Sequence, residues 1–271
     1  MAVFRHEVML SGCSRDWFQQ FIVELHHEVE ALRFDGGRLV AQLPDGQEGT
    51  EVVLVAGLHA REGAEYRIGP EADGLRLAIT AWDRARETGV RLLGQEDGGI
   101  VTTSVKLRSA SRPESIEILW ELDNPQGAWL TRRAALQVKV SLTRWWAHLL
   151  AGKGAAPVVV DVTYPLLKVK LEMFPRPAGD TADGTFWAVN VVTTVRGQSW
   201  ARPLAAVGLR LFHRMAQAGY GKQLDEIART ANPIITALAT GSPRTAAKAT
   251  VELLYTPKGR VPADWPGKEL P

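Results

Sequence analysis

Apolar positions in this chain recur with two periods, and the changes between them mark its elements. Residues 3–10 read as a first strand. Ser14 suits an N-cap and Asp16 a first helical turn. Trp17, Phe18, Phe21, Ile22, Leu25, Val29 and Leu32 then fall at helical spacing, and the helix is predicted to end before Asp35-Gly36-Gly37. Residues 38–43 form a short strand closed by the turn signal Pro44-Asp45-Gly46. Further strands are predicted at 51–58, 75–82, 100–107 and 115–122, the last two joined across Ser111-Arg112-Pro113. This punctuation suits an antiparallel sheet better than alternating strand–helix units.

Residues 127–150 carry both periods. Trp129, Leu130, Ala134, Leu136, Val140, Trp145 and Leu149 share one broad helical face. Leu136, Val138, Val140 and Leu142 also alternate with Gln137, Lys139 and Ser141, as in a strand. A helix over 128–150 is the expectation. Gly152-Lys-Gly-Ala-Ala-Pro157 reads as a linker, followed by strands at 158–162 and 166–174 and a polar loop at 175–184. A last strand at 185–195 meets a turn at Arg196-Gly197-Gln198. A long amphipathic helix over about 200–230 follows, through Leu204, Val207, Leu211, Met215 and Leu224, and Asn232-Pro233 is predicted to break it.

The resulting organisation is a β-rich α+β region with an early helix at 1–153, and strands plus a closing helix at 154–255. These two form either separate units or one continuous domain, with an extended Pro-bearing tail at 256–271. Residues 129–140 and 200–211 are weakly similar, which a duplicated strand-to-helix unit or chance would equally explain.

Composition narrows the class. A length of 271 residues suits one large domain or two smaller ones. The net charge of +2, with basic residues dispersed, argues against nucleic acid as a partner. No apolar run reaches the ~18–20 residues of a membrane span. Arg5, His6 and Glu7 interrupt the start, so no secretion signal is expected there. Cys13 is the single cysteine, which excludes an internal disulfide and points to a reducing cytoplasm. The nine tryptophans serve mainly as packing bulk.

Recognisable catalytic motifs are missing. His26-His27 lacks the His-Glu-x-x-His spacing of a metal site, and the pair reads as a solvated helix face; no metal or cofactor is expected. No Gly-x-Ser-x-Gly occurs, and Gly152-Lys-Gly is not a phosphate loop. Cys13 precedes a helix N-terminus but has no base nearby, and reads as an inert small residue. His213, on the long helix, is a candidate general acid or base, and Tyr164 a candidate donor to a carbonyl; for each the structural reading is the more common one.

The strand ending in Asn190 onward and running into Trp-Ala-Arg-Pro-Leu-Ala-Ala-Val-Gly-Leu-Arg-Leu-Phe, up to Arg214, resembles the START-like helix-grip superfamily (SRPBCC, of polyketide-cyclase and lipid-transport type). The order first strand, early helix, antiparallel strands and long closing helix resembles it too. The likeness implies a curved antiparallel sheet gripping a long C-terminal helix. It also implies a cavity between them for a lipid, a polyketide or another apolar small molecule. Trp187, Val189 and Val191 on the sheet, with Leu204, Leu211 and Met215 on the helix, are the expected ligand-binding residues. The alternatives are a natural-product cyclase using His213 or Tyr164 in that cavity, and a non-enzymatic interaction protein. In the latter, Trp145-Trp146 and the tail would dock to a partner or to a second copy, as a homo-oligomer.

Overall fold

The structure is a computed structural model that describes residues 1–40, 49–71, 74–96, 98–127, 132–181, 184–198 and 213–256. The long closing helix before residue 213, its Leu204 and Leu211, and the tail beyond residue 256 lie outside the described residues. Thirteen strands alternate with four helices among the described residues, an α+β arrangement. They are β1 (Ala2–Ser11), α1 (Arg15–Ala31), β2 (Phe34–Asp35), β3 (Arg38–Leu39), β4 (Val52–Ala56), β5 (Glu65–Ile68), β6 (Leu75–Asp83), β7 (Glu87–Glu96) and β8 (Gly99–Arg108). There follow β9 (Ser115–Asp123), β10 (Arg133–Ser141), α2 (Leu142–Ala151), β11 (Val158–Thr163), β12 (Leu167–Thr181), β13 (Gly184–Gly197), α3 (His213–Thr240) and α4 (Pro243–Glu252).

All strands join one antiparallel sheet in the order β1-β13-β12-β11-β10-β9-β8-β7-β6-β5-β4-β3-β2. Every neighbour is the next strand in the chain except β1, which pairs over its full length with β13, from Ala2↔Val195 to Ser11↔Phe186. β10 pairs directly with β11, so the sheet continues across residues 152–157.

The register explains why so wide a sheet forms. Paired residues point to the same face. Val8 faces Val189, Val191 faces Met173, Met173 faces Val158, Val158 faces Val140, Val140 faces Ile116 and Ile116 faces Leu107. Residues one position away make the opposite row, in which Glu172 faces Val159, Val159 faces Lys139, Lys139 faces Glu117 and Glu117 faces Lys106. One face is therefore apolar and covered, and the other is largely polar.

Chain connectivity requires the sheet to be curved. Thirteen strands laid flat at ~4.8 Å spacing would span roughly 58 Å. α1 carries the chain from the β1 edge to the β2 edge with 17 helical residues, ~25 Å long. Gly12-Cys13-Ser14 and Leu32-Arg33 add at most about 25 Å if fully stretched. The two edges must approach each other, and α1 crosses the concave side.

Two covered regions result. Over β10–β13 and β1, Val189 (0% exposed) and Val191 (2% exposed) pack with Val8, Val158, Val160, Trp145 and Ala228. Over β4–β9, Tyr66 and Ile79 anchor one cluster, and Ile22, Leu107 and Ala110 a second.

α3 lies along β1 and covers its open edge. The Asn232 side chain accepts from Ser11 N–H at 2.9 Å and donates to the Met9 carbonyl at 2.9 Å, and Gln217 donates to the Arg5 carbonyl at 2.9 Å. These amides substitute for a neighbouring strand, which an uncovered edge would otherwise recruit. Asn232→Ala is expected to cost about 1–3 kcal/mol, because Ser11 N–H and Met9 C=O lose their partner. Urea unfolding gives the stability, and light scattering should detect greater self-association through β1.

The observed elements correct several expectations. The helix expected over 128–150 is not continuous: β10 occupies Arg133–Ser141, and the helical part of the described residues there is Leu142–Ala151. Pairing on both sides favours the alternating period, and the helix begins where the Ser141 side chain accepts from Arg144 N–H. Residues 175–181 are not a loop but the end of β12. Beyond Met173, β12 is paired only with β13, so Pro175 and Pro177 occupy a free edge where no donor is needed. The Pro175 carbonyl there accepts from His148 Nδ1 of α2 at 3.3 Å. Pro233 does not end α3, which runs to Thr240. Anchoring of Asn232 and of Thr236, whose hydroxyl donates to Ser11 Oγ at 2.7 Å, offsets the missing helical bond. His26 is buried at 4% exposed, so only His27 of that pair fits the solvated reading.

Candidate functional site: an apolar cavity beneath α1 and α4

Ile22, Leu25, Val29 and Leu32 put an apolar stripe on one side of α1. α4 packs beside it, started by Ser242, whose side chain accepts from Thr245 N–H, and by Pro243 in the first turn. Below them lies the concave face of β4–β9, where the cross-strand rows Leu77–Tyr66 and Ile79–Val90–Val105 face upward. The helices do not fill the hollow. A cavity of about 380 Å³ remains, with Val90, Val105, Leu107 and Ile79 on its floor and Val251 and Leu254 at its roof. No Asp, Glu, Lys or Arg lines it among the described residues.

Its few polar groups are paired. His26 Nδ1 lies 2.9 Å from the Ile22 carbonyl, which can only accept, so this nitrogen carries the hydrogen. His26 Nε2 lies 2.8 Å from Thr88 Oγ1. Burial pushes the His26 imidazolium below the ordinary value of 6.5, with Arg84 and His27 adding to the effect and the Ile22 carbonyl and Glu30 opposing it. The neutral ring therefore accepts the Thr88 hydroxyl hydrogen through Nε2.

His59 makes a second pair. Its Nε2 donates to the Val29 carbonyl at 2.9 Å, and its Nδ1 meets the Tyr66 hydroxyl at 2.8 Å. Tyr66 Oη also accepts from Ala60 N–H at 3.0 Å. Burial pushes the Tyr66 hydroxyl up in pKa, against the Ala60 bond, which keeps it protonated. Trp82 stands over the His26 ring, with centroids 5.0 Å apart, and donates to Glu30 at 2.9 Å. Burial opposes ionisation of Glu30, but its bonds from Arg84 and Trp82 prevail and hold the carboxyl below its usual value.

The His26 environment has a pH consequence. Between its lowered folded-state value and 6.5, the unfolded chain takes up a proton that the folded chain refuses. Stability is therefore expected to rise with pH through that window and to fall on acidification below about 6.5. His26→Gln should flatten this slope, whatever its effect on absolute stability. Chemical denaturation of both proteins across that window would check it, and equal slopes would contradict it.

Of the sequence-derived site residues, Trp187, Val189, Val191 and Tyr164 do not line this cavity. Val189 and Val191 are locked in the core over β13, and Trp187 stacks edge-on against Trp145 and Trp146, at 5.3 and 5.7 Å between ring centroids. A Cβ on Gly12 would come within 2.5 Å of the Trp187 ring, so glycine is required where β1 leaves the sheet. Tyr164 is exposed in the β11–β12 turn, on a shallow depression away from the cavity. His213 and Met215 begin α3, and their side chains lie outside the described residues. Cys13 fits the inert reading, since burial pushes its thiol up to about 11. Tyr66 and Thr88 escape sequence reasoning because β5 and β7 carry no strong signal of their own, and His59, in the β4–β5 loop, because its partners Val29 and Tyr66 lie on other elements.

Among the described residues no group of acidic, histidine or cysteine side chains could hold a metal ion, and no helix is long and apolar enough to cross a membrane. No protein-family model matches the chain, and a search of curated proteins finds no match.

Proposed function

We propose that the protein binds an apolar small molecule in the cavity beneath α1 and α4. The observation that carries this reading is a carbon-lined hollow of about 380 Å³ left open between well-formed helices and a continuous sheet. Its volume lies within the range of small-molecule sites. It would accommodate roughly a dozen carbon-sized groups at ~30 Å³ each. Burial of such a guest contributes roughly 25 cal/mol per Å² before the costs of association. The helix-grip relationship belongs to the same proposal. It is supported by the order first strand, early helix, antiparallel strands and late helix, and by the pairing of the first strand with the last. In this reading the guest lies under the first helix and α4, away from the cluster that Val189 and Val191 form with Trp145 and Ala228. A reducing compartment remains the expectation from the lone, inert Cys13.

A thermal-unfolding series with 1-decanol tests the binding. Ligand at 100 times its Kd stabilises by about 2.7 kcal/mol. The midpoint should rise steadily with decanol concentration. A midpoint that stays constant or falls up to the solubility limit would contradict the reading.

A further inference from the structure

Resting on that binding reading, we propose that the cavity selects uncharged guests, with a hydroxyl-bearing apolar molecule favoured and a carboxylate of the same length rejected. Every side-chain hydrogen on its described polar lining is already engaged. Six side chains there can donate: His26, His59, Tyr66, Trp82, Thr88 and Thr250. Each has already committed its hydrogen within the protein. His26 Nδ1–H goes to the Ile22 carbonyl and His59 Nε2–H to the Val29 carbonyl. Trp82 Nε1–H goes to Glu30, and the Thr250 hydroxyl to the Ala246 carbonyl at 2.8 Å. With those ring nitrogens protonated, His26 Nε2 and His59 Nδ1 are acceptors, and they take the Thr88 and Tyr66 hydrogens.

What remains available to a guest is lone pairs on the oxygens of Thr88, Tyr66 and Thr250. A guest hydroxyl can donate to one of these without breaking any existing bond. A carboxylate needs donors and finds, on a lining that is almost entirely carbon, only side-chain donors already committed, and no lysine or arginine faces it among the described lining residues. An unpaired buried charge is far more costly than an unpaired dipole. The spent donors thus act as a filter on charge, while the carbon walls supply the attraction.

Calorimetric titration with 1-decanol, decane and decanoate, matched in chain length to one another, tests this at about pH 8, where a carboxyl group is ionised. The expected result is saturable binding of decanol, equal to or tighter than decane, with decanoate at least thirtyfold weaker than decanol. Decanoate within thirtyfold of decanol overturns the selectivity and leaves the binding reading standing. Failure of both decanol and decane to bind overturns the binding reading, and the selectivity with it.

Discussion

Val189→Asp is expected to leave the protein without a stable fold, whereas Thr194→Asp on the same strand is expected to be tolerated. Val189 is fully buried between Val8 of β1 and Pro175 of β12, beneath α2 and α3. An aspartate there would be a buried charge with no partner, a change expected to cost more than about 4 kcal/mol. Domains of this kind are stable by only ~5–15 kcal/mol, so most of the margin disappears. Thr194 lies on the opposite face, with Lys170 as its cross-strand neighbour. Aspartate at that site meets solvent and a lysine, so the change should stay within about 1 kcal/mol. Circular dichroism during urea unfolding reads both. Comparable losses in the two variants would contradict the one-faced sheet.

Val105→Trp is expected to abolish apolar binding while leaving stability unchanged or improved. Val105 sits on the cavity floor, between Val90 of β7 and Ile118 of β9. In a filled core, adding this bulk would cost typically 1–3 kcal/mol through strain. Above an empty hollow, the indole instead gains contacts and removes the space a guest needs. Decanol affinity should drop at least tenfold. The combination of lost binding and kept stability is diagnostic, since a solid core would give destabilisation instead.

Much of the fold was legible in the sequence because the sheet has one wet face. Apolar runs punctuated by turn residues marked β1, β6, β8, β9, β11 and β13 almost to their ends. The Gly36-Gly37 turn was legible for a related reason: both glycines have positive φ, as a two-residue hairpin loop between β2 and β3 requires. Ambiguity arose where local period and tertiary pairing disagreed. Residues 133–141 fit a helix and a strand alike, and only partners on both sides decide between them. Pro175, Pro177 and Pro233 signalled breaks that an unpaired edge in one case and side-chain anchoring in the other made unnecessary.

The cavity was harder to locate than the elements around it. The α1 stripe of Ile22, Leu25, Val29 and Leu32 was visible, but nothing in its spacing says whether the opposite wall will meet it. That depends on sheet curvature, which follows from pairing between β1 and β13 across almost the whole chain. Ser242-Pro243 did carry a helix-start signal for α4, the second part of the roof. The pairing of His26 with Thr88 and of His59 with Tyr66 joins residues from separate elements, which sequence spacing does not encode.

Uptake of an apolar molecule into the guest-sized hollow beneath α1 and α4 is the property on which the proposed function rests. Anomalous diffraction from crystals soaked in 1-bromooctane tests it most directly, because bromine marks its own position. A bromine peak is expected between Ile79, Val90 and Val105 on one side and Ile22 and Val251 on the other. Bromine found only elsewhere, with side chains closed over that space, would contradict it.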